Sequence, residues 1–356
     1  ADAASGDPTT GNTLATTAPA GNNAPSLEWT SANCLTEGVR PATGVPGADF
    51  EFMVRYSDAD NECPGGVNDI QVWIDIDDNG SYDPDEKFDL IEADGLDTDC
   101  SDGKLYTLTS SLPWAGDGIL DYRFYATDWK EAAAGLPVSG SEVTVVVATE
   151  VRPSGSSLPR DFTSINTAAN SVSGTVLVYA NDDFSQATYA EQVSLNNRDD
   201  LEIRSTCGPD LTVISSSSGD VITAQDSANL LVEGFSITSG TSGDGIYINR
   251  VDSTVLTFSN NKVFNTIHGM YINDSDSQYV MVEDCEIYNN SARGITLVDG
   301  DDWLDLENSV IHSHNVASGG AAITINNGGR VRMSKSVIRD NVTSLEGGAF
   351  YVNGSS

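Results

Sequence analysis

The stretch DIDDNGSYDPDE, residues 75–86, spaces its oxygen donors as a twelve-residue calcium loop does. Asp75, Asp77 and Asn79 would supply side-chain oxygens, Ser81 its backbone carbonyl, Asp83 a direct or water-borne ligand and Glu86 a bidentate carboxylate. Gly80 allows the sharp turn such a loop makes. A solvated acidic turn is the competing account, but every diagnostic position is filled, which favours Ca2+. YSDADN at 56–61 adds a second, smaller set of oxygens on Asp58, Asp60 and Asn61.

A third set recurs further along. Asp252, Asp276 and Asp301 each stand four residues after an apolar strand residue, namely Ile248, Ile272 and Leu297. If those strands stack at ~4.8 Å, the carboxylates form a ladder of like charges that recruits a cation or holds protons. Asp274, Asp299 and Asp302 would join it. Solvated turn carboxylates that splay apart are the plainer account. Arg250, Arg293 and His268 lie near this ladder as candidate bases, while His312 and His314 fall on another turn and read as inert surface histidines.

The elements that would position these groups are strands. The formal net charge is −36, and Asp (37) outnumbers Glu (16), a bias toward turns rather than helices. Such a charge excludes binding to nucleic-acid phosphates and disfavours anionic membrane surfaces. No apolar run reaches the length of a membrane span. Residues 1–25, small and Thr/Ala/Gly-rich, read as a linker or docking segment at the start of a secreted chain.

Between residues 26 and 150, seven short alternating runs (SLEWT, FEFMVRYSD, IQVWIDI, KFDLIEA, KLYTLTSSL, LDYRFYATD and EVTVVVATE) predict a β-sandwich. The calcium-type loop then sits at a hairpin tip, with strands ending near Ile76 and restarting at Lys87. LEWT, Gly38-Val39-Pro41, YSDADN and YRFYATD make this segment resemble an Ig-like repeat of large bacterial surface proteins. Cys34 pairs with Cys63, or Cys63 with Cys100; spacing leaves both open. VRPSGSSLPR, 151–160, reads as a linker.

From residue 161 the pattern changes. Ile165, Ala168, Ala169 and Val172 make one helical stripe in FTSINTAANSVSG. A repeat of 24 to 28 residues follows, with columns Ile237, Val263, Ile287, Ile311 and Ile338; Val232, Phe258, Val282, Leu306 and Met333; and Ile246, Met270, Ile295, Ile323 and Phe350. A column two before the anchors holds Cys285, read as a buried thiol, and Asn265, Asn290, Asn315 and Asn341 recur after the anchors as a structural ladder. Each repeat is too short to bury its own apolar face and must stack on its neighbours. The expected fold is all-β: a sandwich, then a right-handed parallel β-helix over 161–356 with an N-terminal capping helix and an uncapped C-terminal end.

FTSINTA, TVLVYA, IRSTCGPDLTVI, IYNNSARGITL and IRDNVTSLEGGAFYV make this second region resemble the pectin-lyase-like β-helix superfamily. That resemblance implies, for an enzyme, clustered aspartates as acid and base, or calcium-bound aspartates with an Arg or Lys base. No catalytic motif of the superfamily can be matched residue by residue. The leading expectation is therefore a secreted or cell-surface, non-catalytic structural or adhesive protein, stiffened by Ca2+. It would bind a glycan or self-associate through the N-terminal segment and the open β-helix end. The alternative is a polysaccharide lyase or hydrolase.

Overall fold

The computed structural model describes residues 21–135, 140–240, 242–249, 255–273, 279–298, 303–317 and 319–354. Two cores organise them, one on each side of residues 146–148.

The first core lies between two mainly antiparallel sheets, an arrangement compatible with a sandwich. One sheet joins Ser26–Glu28, Val39–Arg40, Asp49–Ser57, Lys104–Ser111 and Ile91–Glu92; the other joins Thr43–Gly44, Ser141–Val145, Ile119–Ala126, Ile70–Ile74 and Lys87–Asp89. Alternation places Phe50, Phe52, Val54 and Tyr56 inward from one sheet, to meet Tyr122 and Phe124 from the other. Phe52 and Tyr122 pack edge to face at 5.3 Å between ring centroids.

The run EVTVVVATE is not one strand. Ser141–Val145 completes the sandwich, the chain leaves at 146–148, and Thr149–Val151 pairs in parallel with Gly174–Val178. The β-helix therefore starts at about residue 149, and the expected linker at 151–160 opens within its first coil. Three long parallel sheets follow, eight strands from Thr149–Val151 to Arg330–Ser334, seven from Ala187–Ala190 to Val337–Arg339, and seven from Val193–Ser194 to Phe350–Asn353, with a two-stranded one at Asn315–Val316 and Val342–Thr343. The columns predicted from sequence fall in exact register: Ile237 on Val263, Ile287, Ile311 and Ile338, and Ile246 on Met270, Ile295, Ile323 and Phe350. All but the last member of each column fill one continuous core; Ile338 packs partly buried against it and Phe350 is exposed. The predicted helix spans Ile165–Ser171 and is N-capped by Ser164, whose side chain accepts the Thr167 N–H. Its Ile165, Ala168 and Ala169 are buried at the first coils.

Acidic and amide residues shape the corners. Asn260, Asp284, Asn308 and Lys335 occupy one left-handed column, with φ between 47° and 52°, and Asn265, Asn289, Ser313 and Asp340 another, with φ between 53° and 60°. Asn and Asp tolerate that region best after glycine, so much of the Asp/Asn excess is corner chemistry. The inward ladder beside the second column is Thr266, Asn290, His314 and Asn341, not the series predicted. Asn290 accepts the Thr266 N–H at 3.0 Å and Asn341 accepts the His314 N–H at 3.1 Å. Asn265 and Asn315 lie outside this ladder, and His314, expected at the surface, is fully buried.

Two disulfides close the architecture. Cys63 bonds Cys100, one of the two predicted alternatives, whereas Cys34 bonds Cys207 rather than Cys63. Sequence separation of 173 concealed this pair, which joins a sandwich loop to a β-helix turn. Cys285 is a buried free thiol, and burial pushes its pKa up to about 12.

Candidate metal centre and β-helix polar row

In the 75–86 loop the backbone fixes the carboxylates. Ile70–Ile74 delivers Asp75, which is 2% exposed. Its Oδ1 accepts the Asn79 N–H at 3.0 Å and its Oδ2 the Gly80 N–H at 2.7 Å. Gly80 sits at φ 78°, where an L side chain would be strained. A short 3-10 turn, Pro84–Glu86, brings Glu86 back across the loop. Its Oε1 accepts N–H groups from Ile76 and Asp77, and its Oε2 accepts that of Asp83. Oxygens of Asp75, Asp77 and Glu86 thus come within 4.8 Å of one another, the span of two opposed calcium–oxygen bonds of about 2.4 Å. The donor set is hard oxygen throughout and fits Ca2+ in kind. Asn79 Oδ1 instead accepts from the Ser81 N–H and hydroxyl, and Asp83 caps the short turn. No geometry fixes a ligand role for Ser81.

The second predicted cluster separates. Asp60 accepts from the backbone and side chain of Asn23, and Asn61 Oδ1 accepts the Cys100 N–H at 2.7 Å. Asp58 alone stays inward, where it meets Glu62 and Asp128. Asp252, Asp276 and Asp301, with Arg250, Asp274, Asp299 and Asp302, lie outside the described residues.

A polar row runs along the start of the third β-helix sheet; the sequence named two of its members, His268 and Arg293, as candidate bases, but not Asp220 or Asp244. Asp220, Asp244, His268 and Arg293 occupy successive coils, each two residues before the aligned Ile222, Ile246, Met270 and Ile295. The Asp244 carboxylate contacts His268 Nδ1 at 2.8 Å and accepts the His268 backbone N–H at 3.1 Å. Asp220 Oδ1 accepts the Asp244 N–H at 2.8 Å. Burial, with the Asp244 carboxylate adding to it, holds the Asp220 carboxyl above the usual range. Beside the row, Tyr247 and Tyr271 stack at 5.7 Å with 10° between their planes, and His268 tilts over Tyr271 at 5.1 Å.

Glycines set the row in place. Gly245, Gly269 and Gly294 follow its last three members; a Cβ on Gly269 would approach Ile287 Cγ2 at 2.5 Å and the Gly294 carbonyl at 2.6 Å. The corner needs that close approach, so the preceding residue is presented at a fixed edge. The signal was legible as Asp-Gly, His-Gly and Arg-Gly at coil spacing. Asp220 escapes it because Val221 follows. On the opposite course His312 stacks on Tyr288 at 5.2 Å and meets Glu286 at 2.9 Å.

The family model described as "Right handed beta helix region" matches residues 166–315 and 210–356, together more than half of the chain. No match was found among curated proteins. Among solved structures, "Crystal structure of Agl-KA catalytic domain" is similar at 11% identity over 92% of this chain and 72% of that one, with a TM-score of 0.28. A likeness of that size supports no functional argument.

Proposed function

This chain belongs to the right-handed β-helix family, and from that premise we propose that it is a carbohydrate-active protein acting on neutral glycans outside the cell. The observation that carries the reading is the Asp220–Asp244–His268 row beside stacked Tyr247 and Tyr271. Asp220 keeps its proton to higher pH than an ordinary carboxyl and so serves as general acid; Asp244, oriented by His268, serves as base toward water. The tyrosine faces offer flat apolar surface to sugar rings. A net charge of −36 would repel a polyanionic substrate, hence the neutral one. Two disulfides fit an oxidising compartment, and Ca2+ in the 75–86 loop would stiffen its hairpin there.

The test is reducing-end release from a panel of neutral polysaccharides. Wild-type protein should cleave at least one, Asp220→Asn should lower kcat by about 100-fold or more, and Tyr247→Ala should mainly raise KM. Absence of cleavage across neutral and uronate glycans would overturn the enzymatic reading.

One observation favours a second reading. Each carboxylate of the row also satisfies a backbone N–H of the next coil, so a purely structural stalk would retain it. Under that reading the protein is a rigid, non-catalytic surface or adhesive module. Asp220→Asn would then alter stability and leave no activity to lose.

A further inference from the structure

We propose that Asp58, Glu62 and Asp128 form a second hard-cation site, selective for a divalent ion of calcium's kind, at the opposite end of the Ile70–Ile74 and Ile119–Ala126 strand pair from the 75–86 loop. Oxygens of the three carboxylates come within 4.8 Å of one another. Asp58 is 1% exposed, and its Oδ2 is buried without a hydrogen-bond partner; Glu62 Oε2 is likewise buried and unpartnered. Such oxygens are expensive to bury alone. A cation between them satisfies both at once.

The remaining oxygens are already fixed, and this leaves the orphans aimed at one point. Asp58 Oδ1 accepts the N–H groups of Asp60 at 2.7 Å and Glu62 at 3.3 Å. Asp128 Oδ1 accepts those of Lys130 and Glu131, and its Oδ2 accepts from the Asn22 amide at 2.7 Å. Lys130 pairs with Glu62 Oε1 and contacts Asn22 Oδ1 at 3.1 Å, so it neutralises the rim and does not reach Asp58 Oδ2. The Cys63–Cys100 bond and the Tyr56 hydroxyl, which donates to the Glu62 carbonyl at 2.8 Å, hold the backbone around the three carboxylates. All-oxygen, mostly anionic donors favour calcium over softer metals.

The experiment is calorimetric titration of the full, chelator-stripped chain with calcium chloride, for wild type, Asp58→Asn, Glu62→Gln and Asp75→Asn. Asp58→Asn and Glu62→Gln should each lose one binding equivalent that Asp75→Asn retains. Thermal melts give an independent sign. In chelator, Asp58→Asn should melt at or above the wild-type temperature, because an uncompensated buried charge is gone. In saturating calcium it should melt below wild type. An unchanged number of equivalents in both Asp58→Asn and Glu62→Gln overturns the site. So does an Asp58→Asn deficit in melting temperature that is the same with and without calcium. Loss of binding in Asp75→Asn alone would support the 75–86 loop and refute this one.

Discussion

His314 shows how a single residue converts burial into pH dependence. It is fully buried among Asn290, Asn341 and the neighbouring His312, and burial lowers its pKa from 6.5 to about 4. The folded state therefore holds imidazole neutral while the unfolded chain takes the proton first as pH falls. Stability from this group is complete above about pH 6.5 and is lost between there and about pH 4, up to about 3 kcal/mol in all. Urea unfolding followed across that window should show the loss in wild type and a flatter course in His314→Gln. Equal slopes would mean that the imidazole takes up its proton alike in the folded and unfolded chain. Arg332, in contrast, is an exposed residue that closes on the buried Asp305, and with Tyr279 donating to the same carboxylate it holds the Asp305 carboxyl below the usual range.

At the scale of elements, stability resides in coil-to-coil stacking. Ile287 lies between Val263 and Ile311 in register and is completely buried. Ile287→Ala should cost about 2–5 kcal/mol, seen as a lower urea midpoint for the β-helix transition; a cost under about 1 kcal/mol would show that the coils collapse into the cavity. This packing was the most legible feature of the sequence, because three apolar columns repeat at near-constant spacing and only stacking buries them. Corners were less legible. Two adjacent columns, one left-handed at Asn265 and Asn289 and one inward at Thr266 and Asn290, both favour small polar residues, and reading along the chain merged them. The boundary at Val145 was hidden because Val146, Val147 and Ala148 continue the strand-like composition although no strand includes them. Asp75, Asp77 and Glu86 converge from a motif with fixed spacing. Asp58 and Glu62 share one loop, but Asp128 joins them from another after Ile119–Ala126, and local spacing cannot reveal that third member.

For the whole molecule the Cys34–Cys207 bond is the main coupling that sequence could not supply. It is supported by Arg40, whose guanidinium lies 4.2 Å from the Phe184 ring centroid across the same junction. Closing a loop of 173 residues constrains the unfolded chain by about 5 kcal/mol in the chain-entropy account. The double substitution Cys34→Ala and Cys207→Ala should lower the melting temperature of the sandwich and expose residues 146–148 to limited proteolysis, while Cys285 stays unreactive toward thiol reagents until the coils open. If the variant melts and digests as wild type does, the junction is held by packing alone. The bond also decides where tension runs. A pull applied to the two ends of the chain passes from the first strand through Cys34 directly into the turn at Cys207, and the loop between them is left slack. Both acidic clusters of the sandwich lie inside that slack loop. The sandwich beyond its first strand, together with the first β-helix coils, would be shielded from load until the bond is reduced, when ~60 nm of hidden contour length becomes available.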